Sequence, residues 1–261
     1  MDQTELLALY DEDQRINIHW PGERREVTEQ VIRHISRSGV HSFIIYSDLK
    51  AENADAVIRQ EQDLFVAMGH HLEWKVFEHD APADLRQRLE QAGFDMSVPP
   101  DAVMVLDAEQ APAALRENQS TAIRQITTPE QVGDILAVQR EVWSSEFERL
   151  TREMAETLRD RPDQLSVYAA YVDNQPVSSA WARYTPNSQF ASLWGGTTLP
   201  DYRGQGHYSA LLAARLQDAV QHGRRFLTVD ASPMSRPILE KHGFQVITWA
   251  WECHWNSEVD Q

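Results

Sequence analysis

The feature that most constrains this chain is a repeat carried inside it. Residues 79–94, HDAPADLRQRLEQAGF, lie over residues 229–244, VDASPMSRPILEKHGF, without a gap and with seven identities in sixteen positions, 150 residues apart. Asp80, Ala81, Arg86, Leu89, Glu90, Gly93 and Phe94 match Asp230, Ala231, Arg236, Leu239, Glu240, Gly243 and Phe244. Each copy follows a run that reads as a strand (residues 72–78 and 225–229). Each then carries a short helix and closes on Gly-Phe, where glycine can adopt the left-handed conformation that ends a helix before another strand. Such a repeat predicts one architecture used twice. Residues 107–121, DAEQAPAALRENQST, are small, polar and proline-containing, and read as a linker between domains 1–117 and 118–261.

Charge and composition narrow the function classes. Up to Asn118 there are 23 acids against 11 bases, and beyond it 17 against 13, within a net charge of -16. Such acidity argues against a nucleic-acid partner, since counterion release needs a basic stripe. No apolar run approaches the roughly 18 residues of a membrane span, so no membrane partner is expected. The opening residues MDQTELLALYDEDQR are acidic where a signal peptide would be basic and then apolar, which predicts a cytoplasmic protein. The single cysteine, Cys253, permits no intrachain disulfide and fits a reducing compartment. His70-His71 and Cys253-His254 are too close in sequence to form metal sites without other ligands, so no metal is expected.

Periodicity places the elements of the second half. Residues 121–126 and 165–173 read as strands, with helices over 129–143 and 150–159 between them. Asp173-Asn174 predicts a hairpin turn into strand 176–183, and Pro186-Asn187 begins the turn into strand 189–198. A helix over 206–222 presents Tyr208, Leu211, Leu212, Leu216, Ala219 and Val220 on one face. The strand at 225–230 follows a helix and so runs parallel to the strand before it, giving a mixed sheet and an α+β fold. The alternating Trp249, Trp251 and Trp255, and the neighbouring Trp181 and Trp194, read as core or sheet-face aromatics.

The chemistry-bearing stretch is 197–212, TTLPDYRGQGHYSALL, in which a strand ends at a proline and a glycine turn opens an amphipathic helix. Backbone N–H groups from Gly204 to Ser209 lack intrahelical partners there, and Gly204 and Gly206 let an oxyanion approach the main chain. Arg203 adds a full charge; each favourable charge at a helix terminus contributes roughly 0.3–2 kcal/mol. A pyrophosphate can therefore be held on an acidic protein. The rival reading is a dinucleotide fingerprint, Gly204-x-Gly206-x-x-Ser209 with Asp230 ending the next strand. Against it stand Ser209 at the third glycine position, four residues between strand and loop, and too little chain beyond Asp230 for a doubly wound sheet.

On these residues the second half resembles a GCN5-related N-acetyltransferase (GNAT) domain. That family's acyl-CoA signature, Q/R-x-x-G-x-G/A, falls on Arg203, Gly206 and Tyr208, with Tyr208 departing from its small last residue. The downstream pattern, a short helix ending in Gly-Phe, falls on residues 232–244. The resemblance covers about residues 120–256. The first half shares only the framework: its counterpart of the loop, SDLKAENA at 47–54, has no glycine and carries Asp48 and Glu52, with Asp55 just beyond it. The whole is thus expected to be two GNAT-like domains, each a mixed, mostly antiparallel twisted sheet flanked by helices, the first degenerate and without a cofactor.

The resemblance implies transfer of an acetyl or short acyl group from acetyl-CoA to a small-molecule or peptide amine by direct attack on the thioester. The cofactor-binding residues it implies are Gly196, Thr197, Thr198, Arg203, Gly204, Gln205, Gly206, His207, Tyr208 and Ser209. Glu146 and Glu148, between the first two helices of the second half, and Asp230 are open choices for the base. Asp230 also reads as a structural cap because Asp80 repeats it, and Arg236 as a structural ion pair because Arg86 repeats it. Many members carry an acidic tyrosine four residues before the Gly of Gly-Phe, where this chain has Leu239. Tyr208, His207 or water remain for that role. A non-catalytic acyl-CoA-binding regulatory module is the alternative.

Overall fold

The computed structural model describes residues 1–20, 22–37, 41–142 and 148–256. In chain order the elements are α1 (Gln3–Tyr10), β1 (Glu23–Val27), β2 (Val31–Ser36), β3 (His41–Ser47), α2 (Ala54–Met68), β4 (His71–Phe77), α3 (Leu85–Gln91) and β5 (Asp101–Asp107). There follow α4 (Ala113–Arg116), β6 (Ile123–Ile126), α5 (Gly133–Val142), α6 (Glu148–Asp160), β7 (Leu165–Val172), β8 (Gln175–Arg183) and β9 (Phe190–Thr198). The last are α7 (His207–Gln221), β10 (Phe226–Ala231), α8 (Arg236–Lys241) and β11 (Gln245–Trp255). The fold class is α+β, as expected, with mixed sheets and flanking helices.

The chain forms two compact units, one of Met1–Met104 with Asp230–Pro237 and Val246–Gln261, the other of Val105–Val229 with Ile238–Gln245. A cut near residue 118 and this spatial partition are different divisions. The reason is that β11 pairs antiparallel with β4, from Ala250 opposite Phe77 to Trp255 opposite Leu72. Meanwhile the end of β5 leads along the start of β10, with Ala108 N–H donating to Arg225 O and Asp107 binding the Arg225 guanidinium at 2.9 Å.

The first unit orders its strands β1-β2-β3-β4-β11, with β3 and β4 parallel and the other pairs antiparallel. Its core joins Val57, Ile58 and Phe65 of α2 and Leu85 and Leu89 of α3 to Val31, Ile44, Leu72 and Trp74 of the strands, with Trp251 and Trp255 packed against it. Arg15 is a buried anchor: its guanidinium binds Asp80 at 2.6 Å and Asp11 at 2.8 Å and stacks 3.9 Å from the Phe77 ring centroid.

The second unit orders its strands β6-β7-β8-β9-β10, antiparallel but for the parallel pair β9/β10. Asp173 and Asn174 both take positive φ, 49° and 61°, in the tight turn between β7 and β8. One sheet face packs Ile135 of α5 and Met154 and Leu158 of α6 on Val167 and Trp181. The other face packs Leu211 of α7 on Tyr168 and Ala180.

The two copies of the repeat share backbone geometry. Both close on a left-handed glycine, Gly93 at φ 91° and Gly243 at φ 88°, followed by a buried Phe94 or Phe244. Their polar residues diverge. Asp80 accepts from Phe77 N–H at 2.9 Å and pairs with Arg15, while the N-cap position of α3 is Asp84; Asp230 instead binds Lys75 Nζ at 2.5 Å. Arg86 and Arg236 stack on alternate tryptophans of β11, 3.9 Å from Trp251 and 5.1 Å from Trp249.

Strand β2 is buried along its whole length. Its His34 is 0% exposed, stacks on Phe43 at 4.9 Å, and has no hydrogen-bond partner at either ring nitrogen among the described residues. Burial first, then the neighbouring Arg25 and His19 charges, hold its pKa down to about 4. The folded value lies below the unfolded one of about 6.5, so His34 leaves stability intact above that pH and removes it as the pH falls toward 4. Urea denaturation of wild type and His34→Phe tests this. Between about pH 7.5 and 4.5 the wild type should lose roughly 2–3 kcal/mol more than the variant, which keeps the stacking and cannot charge.

Candidate functional site

The site begins where two strands part. Phe190, Ala191 and Ser192 of β9 pair with Phe226, Leu227 and Thr228 of β10. Strand β9 then runs on to Thr198 without β10 as its register partner. On its other side β9 pairs with β8 through a bulge. Ser179 faces Thr197 and Trp181 faces Trp194, so Ala180 stands opposite two residues, Gly195 and Gly196. A bulge of this kind bends the strand and re-aims its backbone groups.

Glycine is required at both bulge positions, for different reasons. Gly195 has φ 61°, and a Cβ there would lie 1.8 Å from the Trp181 ring. At Gly196 a Cβ would meet the Tyr208 ring at 2.8 Å. Gln139 of α5 is buried and fixes the bulge from one face, its Nε2 donating to Gly195 O at 2.8 Å and to Ser179 Oγ at 2.9 Å. Neither Gln139 nor the bulge was anticipated from sequence, although a Gly-Gly pair inside a strand is the signal for such an irregularity.

Beyond Thr198 the chain makes one tight turn at Pro200–Tyr202. Gly204 (φ 72°) and Gly206 (φ 86°) then carry it into α7. A side chain at either glycine would meet nothing within 4 Å, so the demand for glycine there is conformational, and the space above them is open. Ala210 N–H donates to Gly206 O as the first helical bond, which places the N–H groups of residues 207–209 at the unpaired first turn. Arg203 Nε donates to Thr198 O at 3.2 Å, tying the guanidinium to the end of β9, and Gln205 Nε2 donates to Asp201 O at 3.0 Å. Ser209 Oγ shares a 2.9 Å hydrogen bond with His242 Nε2.

The structure therefore places Gly196, Thr197, Thr198, Arg203, Gly204, Gln205, Gly206, His207, Tyr208 and Ser209 along one path, from the bulge of β9 to the first turn of α7. Tyr208 packs against Gly196, and its phenol is hydrogen-bonded by Arg215. Arg215 is 2% exposed; burial depresses its pKa, opposed by Tyr208 and Tyr184. Leu239, where the resemblance implied an acidic tyrosine, is buried. Glu146 lies outside the described residues, and Glu148 opens α6 with its side chain likewise outside them. Asp230 is engaged by Lys75.

Residues 131–244 match the model of the acetyltransferase (GNAT) family. No curated protein matches the chain in sequence. Among solved structures, the chain is similar to a GCN5-related N-acetyltransferase from Kribbella flavida, with a TM-score of 0.69, 12% identity and coverage of 97% of this chain and 93% of that one. A tandem GNAT protein from the clavulanic acid biosynthesis pathway, solved without acetyl-CoA, superposes with a TM-score of 0.64 at 12% identity over 94% of this chain and 86% of that one. A GCN5-related N-acetyltransferase from Sphaerobacter thermophilus gives 0.60 at 14% identity, over 97% and 84%. At these identities the likeness is one of fold.

The bulge carries its own test. Gly195→Ala forces a left-handed alanine against Trp181 and should cost roughly 3 kcal/mol or more in thermal unfolding. Gln139→Ala, which strips a buried carbonyl of its donor, should cost roughly 1–3 kcal/mol.

Proposed function

We propose, from the match of residues 131–244 to the acetyltransferase (GNAT) family, that the chain transfers an acetyl or short acyl group from acetyl-CoA to an amine. The observation that carries this reading is that β9 outruns β10, bulges at Gly195-Gly196, and ends in the glycine loop that opens α7. In this reading residues 196–198 take the pantetheine arm as an added half-strand, and a main-chain N–H there polarises the thioester carbonyl. Residues 204–209 with Arg203 hold the diphosphate. Holding amine and thioester together supplies much of the rate. The acceptor is a small-molecule or peptide amine.

The amine must be neutral to attack. At a pKa of about 10.4 an alkylamine is neutral in only about one part in 2,500 at pH 7, a penalty of about 4.6 kcal/mol, so a base or water relay helps. Glu146 and Glu148 are the proposed bases. Tyr208 is the proposed acid for the departing thiolate, since Leu239 has no proton to give. We further propose that residues 1–117 descend from the same domain and hold no cofactor, because residues 47–54 lack glycine and carry Asp48 and Glu52, with Asp55 beyond them. The engagement of Tyr208 by buried Arg215, together with an aliphatic Leu239, favours a second reading, a regulatory module that binds acyl-CoA without turnover.

Calorimetric titration of acetyl-CoA and CoA into wild type and an Arg203→Ala, Gly206→Glu double variant tests the first reading. Removing a charged phosphate contact costs roughly 1.5–3 kcal/mol, and the new glutamate adds repulsion and left-handed strain, so affinity should fall by about 100-fold or more. Equal binding by the variant, or none by the wild type, would make the loop a structural turn. Release of CoA thiol across a panel of amines then separates the readings, because binding without turnover on any amine supports the module.

A further inference from the structure

We infer that His242 is a positioning residue for the diphosphate of the acyl-CoA cosubstrate. It donates its Nε2 proton to Ser209 Oγ, which turns the Ser209 hydroxyl proton toward the ligand, and it takes up a proton from solvent as the ligand enters. The inference rests on the reading above, in which the loop before α7 holds that diphosphate.

The argument begins from one hydrogen bond and the count of protons in it. Ser209 is the third residue of α7 and belongs to the first turn, whose N–H groups precede the first helical bond. Its hydroxyl oxygen lies 2.9 Å from His242 Nε2. A serine hydroxyl has one proton and two lone pairs. If Nε2 is bare, the Ser209 proton points at His242, and an anion over the loop faces the hydroxyl lone pairs. If Nε2 carries a proton, the oxygen accepts it and the hydroxyl proton is available to a phosphate oxygen. An anion in the cradle therefore selects the second arrangement, and a diphosphate's charge favours the imidazolium form of it.

The imidazole is held for this role. His242 is the first residue after α8, and its N–H donates to Leu239 O at 2.9 Å. Gly243 follows at φ 88°, in a turn so close to its surroundings that a Cβ would lie 3.2 Å from Pro112 Cδ and 3.4 Å from Leu106 Cδ1. Among the described residues Ser209 Oγ is the side-chain atom at hydrogen-bond distance from the imidazole, and Glu240 and Lys241 are the charged residues that precede it in the chain. Neither charge contributes to the shift of the His242 pKa, which burial alone lowers. The neutral ring is thus the resting form at neutral pH, and the charge arrives with the ligand.

Dephospho-CoA is the probe, because it lacks the titrating 3′-phosphate and its diphosphate keeps one charge state between about pH 6 and 8. Calorimetry on the full chain should give wild-type binding about 3- to 10-fold tighter at pH 6 than at pH 8. Heats in two buffers of unlike ionisation enthalpy should report net proton uptake. His242→Gln, whose amide donates at any pH, should bind within about 3-fold of wild type at pH 8 and lose the pH slope. Ser209→Ala should lose both the slope and about 5- to 10-fold in affinity at pH 6. Equal wild-type affinity at the two pH values overturns the inference. A slope that survives in His242→Gln also overturns it. Binding by the wild type at neither pH overturns the reading of the loop itself, and the role of His242 with it.

Discussion

Two residues of β9 stand opposite one residue of β8, and the geometry of the whole functional end of the second unit follows from that mismatch. Gly195 holds a left-handed conformation, and the Trp181 ring occupies the space a side chain there would need. Its carbonyl points away from the ladder and is satisfied by the buried amide of Gln139. Gly196, next along, is bare so that the Tyr208 ring can lie against it, and Tyr208 in turn engages Arg215 inside the unit. A strand irregularity, a helix and a buried cation thus fix one another, and the backbone of residues 196–198 is aimed by packing on both sheet faces. Sites that must hold a reacting group to a fraction of an ångström are built on supports of this kind.

Much of this was legible in the sequence because it depends on local rules. The strands and helices of the second half appear close to the periodic runs that predicted them, the Asp173-Asn174 turn takes the positive φ values its residue types favour, and β9 and β10 are parallel because a helix connects them. The glycines at 204 and 206 were readable for the same reason. What escaped was everything set by partners distant in the chain. Gln139 is one polar residue on an amphipathic helix until the carbonyl of Gly195 is placed beside it. His242 is one residue of a common Gly-Phe ending until Ser209 lies 2.9 Å away. The repeat predicted the backbone of both copies, yet gave Asp80 and Asp230 one role where the structure gives them two, because their partners, Arg15 and Lys75, lie outside the repeated segment.

The acidity of the chain is reconciled with the proposed anion site by scale. A net charge of -16 acts over the whole surface and is screened within about 8–10 Å at physiological salt. In the proposed reading the loop works at contact distance, through N–H groups that carry no net charge, one guanidinium at Arg203 and the Ser209 hydroxyl that lies beside His242. In the first unit two cations are consumed internally: Arg15 is enclosed by Asp11 and Asp80, and the Lys75 ammonium, beside Asp230, is held well above its ordinary pKa.

The pairing of β11 with β4 has a consequence in time. Leu72 and Trp255 are neighbours in a ladder but 183 positions apart in the chain, so the first unit cannot complete its sheet until residues 246–255 have left the ribosome. Through most of its synthesis β4 presents an unsatisfied edge, and Trp74 waits for Cys253, its partner across the ladder. The last pairing of this sheet therefore joins a strand made early to one made late, while β1, β2, β3 and β4 can pair among themselves beforehand. Loss of residues 246–255 would be felt first at β4, whose open edge no earlier strand covers.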